Sequence, residues 1–322
     1  MEQKHILTAA ERPKRQRKIS LKKQIPTFLN SAVPSMHMAG GKRKGIRYPG
    51  RFLFLLPSLA GVGIFILFPF LDVFRRSFMD AVGVNFTGLD NYLTVIGKSS
   101  FQLAVSNTVR FIVTCIPLLL LLSLAVAVLI SSITRLRELL KTIFLFPMAI
   151  PVASIVVLWR LVFDNHGFLN GFIERFHISP TDWMNGPSAF YVLVFSYLWK
   201  NTGYDMILWL AGLNEIPDSL YEAARMDGAG KKECFFHITL PLLRPTVAMI
   251  AVLSLVNSFK VFREAYLIAG DYPHKSIYML QHLFNNWFVK LDIQKMSAAS
   301  VMMAAAASLI IIGVHLTHEK KK

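Results

Sequence analysis

Six apolar stretches set the terms for this chain. They fall at about 52–74, 108–131, 142–163, 189–213, 243–268 and 297–316. Each is near the roughly 20 residues that an α-helix needs to cross about 30 Å of hydrocarbon. A bilayer offers no water to loose backbone groups, so such spans are expected to be helical. The expected fold is an all-α membrane protein with six transmembrane helices. Apolar residues make up 54% of the chain, above the share of an ordinary soluble domain. The first stretch opens Phe52-Leu53-Phe54-Leu55-Leu56, like the core of a signal peptide. No small-residue cleavage site follows and the stretch is long enough to span, so an uncleaved anchor is preferred.

The formal net charge is +16. That sign could suit nucleic acid, but the excess sits in the first fifty residues and in short loops, so no nucleic-acid partner is expected. Membrane topology accounts for it better. With the N-terminus inside, the inner segments hold the tail, Arg135, Arg137, Lys141, Arg225, Lys231, Lys232, Arg244 and Lys320 to Lys322. The outer loops hold only Arg75, Arg76, Lys98, Arg175, Lys275, Lys290 and Lys295. Both termini are therefore expected in the cytoplasm, together with the 214–242 loop. Residues 1–50 read as a basic, disordered cytoplasmic tail, with a mitochondrial transit peptide as the competing reading. Residues 51–322 form the membrane domain. Cys115 lies in an apolar run and Cys234 in a polar loop, which argues against a disulfide framework.

The 214–242 loop has its own internal logic. Pro217 suits the first turn of a helix, where its missing N–H costs nothing. Leu220, Tyr221 and Ala224 then share a side, and Gly228 tolerates the left-handed conformation that ends a helix. A second short helix is expected from about Lys231 to His237, closed by Pro241. Ala223 and Ala224 leave a low surface, and Glu222, Arg225 and Asp227 can pair with charges on a partner. Local physics alone equally describes a surface hairpin that joins two spans.

The full string is more specific. Glu222, Ala223, Ala224, Gly228, Ile238, Leu240 and Pro241 stand at the spacing Glu-Ala-Ala, Gly six positions on, then Ile-x-Leu-Pro. This resembles the signature loop of binding-protein-dependent ABC importer permeases. Other stretches resemble the carbohydrate-uptake branch, of the maltose and glycerol-phosphate permease type. They include Pro69-Phe70, Phe86 to Tyr92, Trp159 to Phe163, Gly167 to Asn170 and Leu210 to Leu213 before Ile216-Pro217.

The resemblance implies a type I importer permease domain over 51–322 in a bacterial cell membrane. Its ATPase-coupling residues would be Tyr221, Glu222, Ala223, Ala224, Asp227, Gly228, Ala229, Ile238, Leu240 and Pro241. The implied partners are ATPase subunits that bind the ATP, a second permease subunit, and an extracellular or periplasmic solute-binding protein. The chain itself would carry no cofactor. Its solute would be a sugar or sugar-like compound, with a non-sugar solute as the alternative.

Enzyme readings find no support in the residues. Gly41-Lys42 and Gly230-Lys231 lack the earlier glycine and the following Ser or Thr of a phosphate-cradling loop. The histidines have no metal-ligand spacing, and no Gly-x-Ser-x-Gly elbow occurs. No catalytic residue and no metal site are expected. A stand-alone secondary transporter would commonly show repeated halves, and none is visible.

Polar groups inside the apolar stretches each ask for a reason, because an ionised group at the bilayer centre costs about 3 kcal/mol. Arg110 and Arg160 lie near outer ends, where they can snorkel. Lys200 and Asn201 fall roughly 18 Å into their helix at 1.5 Å per residue, with Tyr204 and Asp205 one turn further. Asn257, Lys260 and Glu264 are spaced to share a helix face, with Lys260 and Glu264 placed to pair. These seven residues are candidates for the translocation path. An interhelical hydrogen-bond network is the competing use. Pro147 and Pro151 are expected to kink the third span. The outer segment from Tyr272 to Phe288 is a candidate contact for the solute-binding protein, by family analogy only.

Overall fold

A computed structural model describes residues 50–270 and 272–319. The tail expected over 1–50 lies outside them, save Gly50. The chain divides into two compact units after Pro57, and the second, from Ser58 onward, holds the helical bundle. Only 50–57 of the first unit are described, all helical.

The described residues are almost wholly helical, with one isolated bridge, Met79 to Phe86, and no strand. Helix α1 (Gly50–Val62) passes through a π turn, Gly63–Leu67, into α2 (Phe68–Arg76). The π turn has a local cause. Pro69 has no N–H, and its ring crowds the carbonyl four residues back. The chain widens just before it, so Phe68 N–H donates five residues back to the Gly63 carbonyl. A turn follows, in which Asp80 accepts from Val84 N–H (2.9 Å) and the Asn85 amide (2.7 Å). Those bonds hold the exposed Asp80 carboxyl below its ordinary range. Then come α3 (Asp90–Ile96) and the long α4 (Ser99–Ser131).

α4 shows how this fold uses an apolar helix. One stripe is buried at helical spacing: Ala104, Thr108, Phe111, Cys115, Leu119, Ser123, Ala127 and Ile130. The opposite face is just as apolar but exposed, at Val109, Val113, Leu121 and Leu129. A helix that is hydrophobic all round suits a lipid surround.

The predicted third span, 142–163, is not one helix. It divides into α5 (Arg137–Ala149) and α6 (Val152–Phe163). Ile150 is extended (φ −73°, ψ 129°), as the residue before a proline is driven to be, so Pro151 breaks the span rather than kinking it. The short α7 (Phe168–Ile173) follows, then α8 (Ala189–Asn214). The 214–242 loop supplies α9 (Asp218–Met226), α10 (Lys231–Cys234) and α11 (Leu240–Leu242). Pro241 repeats the device of Pro69. A π turn, Phe235–Thr239, precedes it, and Leu240 N–H donates back to the Phe235 carbonyl. α12 (Arg244–Ser258) passes a 3₁₀ turn, Phe259–Val261, into α13 (Phe262–Ala269), and α14 (Leu280–Val289) and α15 (Ile293–Glu319) complete the fold.

Among the described residues, five helical runs are long and apolar enough to cross a membrane: Leu55–Arg76, Ser99–Ser131, Val152–Phe176, Arg244–Tyr266 and Ile293–Val314. The predicted span at 189–213 forms a single helix, α8, but is not among the five, because the polar run Lys200 to Asp205 dilutes its apolar character.

α8 is the hub. It packs most extensively on α4, through Phe111, Leu119, Phe190, Leu193 and Tyr197. A second cluster joins Met206, Trp209 and Leu210 to Ala127, Leu243 and Ile250. Within it, Trp209 Nε1 donates to Ser123 Oγ (2.9 Å). Two glycines set the spacing. A Cβ on Gly203 would lie 1.9 Å from the Phe144 carbonyl oxygen of α5, so the two backbones touch. A Cβ on Gly212 would lie 2.5 Å from Thr246 Oγ1 at the start of α12. Cys115 and Cys234 are both buried and unbonded to each other.

Gly203→Ala is expected to cost more than about 2 kcal/mol or to prevent folding, because the obstruction is backbone and cannot rotate away. Gly171→Ala, which meets nothing within 4 Å, should be close to neutral. Thermal unfolding of the detergent-solubilised protein would compare the two.

Candidate functional site

The 214–242 loop is fastened to the bundle at both ends. Ile216 is buried beside Leu243 in the α4–α8 cluster, and Tyr221 and Ile238 pack against the same cluster. Tyr221 Oη also shares a hydrogen bond with Thr239 Oγ1 (2.8 Å), across the loop. Pro217 caps α9 from just outside it, and Asp218 places a negative charge in the first turn, where the helix dipole favours it. The helix ends in a Schellman turn: Gly228 N–H donates to the Arg225 carbonyl (3.0 Å) and Ala229 N–H to the Ala224 carbonyl (2.9 Å). Gly228 has φ +86°, the conformation this turn demands. Glu233 then reaches back to accept from Gly230 N–H (2.6 Å), which starts α10.

The expected second helix is therefore split, with α10 covering only Lys231–Cys234 and the π turn covering the rest. Between α9 and α10 lies an open cleft of about 470 Å³, lined by Ala224, Asp227, Gly228, Ala229, Cys234 and His237. Glu222, Ala223, Asp227 and Gly228 are exposed. Glu222, Arg225 and Asp227 form no ion pair among the described residues. Met226 is 89% exposed, an unusual place for a large apolar side chain.

The polar residues of the spans separate into two groups. Lys200 Nζ and Glu264 Oε1 form an ion pair of 2.7 Å between α8 and α13, with side chains only 18% and 7% exposed. Glu264 Oε2 is buried without a hydrogen-bond partner among the described residues. Asp205 is buried and accepts from Ser254 Oγ (2.9 Å), while Tyr197 Oη donates to the Ser254 carbonyl (3.0 Å). Asn201 donates to the Tyr197 carbonyl one turn back (2.8 Å), and Tyr204 is half-buried. Lys260 is exposed and donates to Asn257 Oδ1 (2.8 Å). The expected pair of Lys260 with Glu264 does not form. The 3₁₀ turn Phe259–Val261 shifts the register between them, so Lys260 stays with Asn257 and Glu264 turns to Lys200.

From residue 119 to residue 318, the chain matches the family described as "Binding-protein-dependent transport system inner membrane component". The chain belongs to this family. Its curated relatives include the trehalose/maltose transport system permease protein MalF of Thermococcus litoralis. That protein is 33% identical over 78% of this chain and 87% of its own length. The arabinooligosaccharides transport system permease protein AraP of Bacillus subtilis is 30% identical over 76% and 81%. The fold is also that of a subunit of a bacterial ABC transporter for the acidic polysaccharide alginate. The TM-score is 0.75 at 21% identity, covering 84% of this chain and 95% of that one.

Within this family framework, Tyr221 and Ile238 of the ten loop residues face the bundle, while Glu222, Ala223, Asp227 and Gly228 face away from it. Sequence reasoning passed over Met226, Ser254 and Tyr197. Ser254 had a visible signal, a small hydroxyl one turn before Asn257 in an apolar run. Met226 had none, since methionine is ordinary in a helix and only its exposure singles it out.

Lys200→Met should destabilise the fold by about 3–5 kcal/mol, because it leaves Glu264 buried and uncompensated. Adding Glu264→Met should recover most of that loss. Unfolding of the two variants in detergent would read the difference, and an equally unstable double variant would dismiss the pair as the cause.

Proposed function

We propose that this chain is the membrane subunit of an ATP-driven importer for a sugar or sugar-like solute, driven through the loop at Glu222. The observation that carries this reading is the loop's geometry. A stem packed into the bundle presents Glu222, Ala223, Met226, Asp227 and Gly228 outward, and Glu222 and Asp227 form no ion pair among the described residues. Such a surface suits a partner that supplies the missing charges. The partner proposed is an ATPase subunit, which would bind the ATP while this chain binds none.

Family membership supports a transport role in the membrane, and the relatives' named solutes share a polyhydroxylated chemistry. We read α8 as a sixth span. Its 26 residues reach about 39 Å, and a helix enclosed by others need not be apolar on every face. Six spans leave both termini on the cytoplasmic side, with the loop. A second permease and a solute-binding protein would complete the assembly. Lys200, Asn201, Tyr204, Asn257 and Lys260 are the proposed path residues. Asp205 and Glu264 serve by holding α8 to α12 and α13.

Gly228→Val tests the coupling role. Its Cβ would meet nothing within 4 Å, but φ +86° strains any side chain, so the turn would re-form elsewhere. In proteoliposomes with ATPase, second permease and binding protein, uptake should fall at least tenfold at unchanged yield and thermal stability. Wild-type uptake by this variant would remove the loop from the coupling route.

A further inference from the structure

The outer end of α6 holds a small polar cavity that the coupling mechanism does not use. Two turns frame it. The first, after Phe163, is closed by Asp164, whose carbonyl accepts from Gly167 N–H (2.8 Å) and whose carboxylate accepts from His166 N–H (3.1 Å). A Cβ on Gly167 would lie 2.9 Å from three backbone atoms, so this turn admits no side chain there. In the second turn, Asp182 Oδ1 accepts from the N–H groups of Met184 (3.3 Å) and Asn185 (2.9 Å).

Buried Asn170 ties the two turns together. Its amide nitrogen donates to the carbonyls of Asn165 (3.0 Å) and Thr181 (2.9 Å). Its oxygen accepts from Thr181 N–H (3.2 Å) and Trp183 Nε1 (2.8 Å). The two turns are thus held to each other by hydrogen bonds before any ligand arrives.

The cavity measures about 240 Å³. Phe163 and Met184 supply its apolar lining, Asp164, Asn165, Asp182 and Asn185 its polar lining, and Arg160 lies among them. The side-chain amides of Asn165 and Asn185 make no hydrogen bond among the described residues. One turn before Phe163, Trp159 packs on Trp199 (5.2 Å between ring centres), the neighbour of Lys200. Trp159 also packs on Phe163 of the lining (5.6 Å), so a chain of rings runs from the cavity toward Lys200.

We propose that this cavity is an outer subsite for a single sugar ring, upstream of Lys200. A sugar ring offers C–H faces to an aromatic or thioether surface and hydroxyls that both donate and accept. Carboxylates accept from them, and uncommitted amides do both. The volume has room for one ring rather than a chain. A metal ion fits poorly, because an arginine shares the lining and no ligand cluster occurs among the described residues. The inference rests on the sugar reading above.

The test uses the full assembly in proteoliposomes, with saturating loaded binding protein and radiolabelled maltose, trehalose, arabinose and xylose as probes. For each sugar taken up, Asn165→Ala with Asn185→Ala should lower the uptake rate about tenfold while capture of the loaded binding protein stays at the wild-type level. Unchanged uptake would overturn the subsite and leave the sugar reading standing. Weakened capture with a normal rate per captured complex would also overturn it, making this surface a docking patch. Wild-type failure on all four sugars would remove the sugar reading, and the subsite with it.

Discussion

Everything else in the bundle depends on the contact of two backbones at Gly203 and the Phe144 carbonyl. Lipid tails are as apolar as leucine, so helices in a bilayer gain little from hiding apolar surface from one another. Close approach is what remains, and it needs a residue without a side chain. Gly203 meets that need between α8 and α5, and Gly212 meets it between α8 and α12. With α4 packed along a further stripe, α8 has neighbours along most of its length. The loop after α8 returns to the membrane at α12, and the Gly212 contact clamps those two helices beside the loop's base. A load applied at Glu222 would enter both helices together.

The polar interior follows from the same crowding. A hydroxyl or indole N–H shut between helices must find an acceptor there. Trp209 finds Ser123, Trp159 finds Ser196, and Ser254 finds Asp205. These bonds are fully enclosed and specify which helix faces which. Lys260 and Asn257 lie where the enclosure ends, so their pairing leaves them reachable. Position along α8 separates the uses less well than neighbourhood does. Lys200 and Asp205 are barely more than a turn apart, yet one spans to α13 and the other to α12.

Much of the fold was legible because its signals were local. Gly228 announced its left-handed turn, and the apolar stretches announced the helices, since both depend on nearby residues alone. Pro151 was legible as a disturbance but not as a full break, because whether a proline bends or cuts a helix depends on what packs around it. The Lys260–Glu264 pairing failed for a related reason. Spacing of four predicts contact only in an unbroken α-helix, and nothing in Phe259-Lys260-Val261 advertises a 3₁₀ turn. The Asn170 hub was invisible, since half of its partners lie on a turn eleven to thirteen residues away and the nearer ones are backbone carbonyls.

The break at Ile150 carries a mechanical consequence. Below it, α5 is pressed against α8; above it, α6 packs on α13. The two halves of one polypeptide run thus have different main partners, although α6 also meets α8 where Trp159 Nε1 donates to Ser196 Oγ. A continuous helix here would act as a strut, and turning one half against the other would break several backbone hydrogen bonds. Here no helical hydrogen bond from Pro151 crosses the joint, since proline has none to donate. Rotation of one half against the other would therefore meet least resistance in the torsions of Ile150. The Lys200–Glu264 bridge joins α8 to α13, the main partners of the two halves, and so would act as a detent, a charged stop that favours one angular setting of the joint.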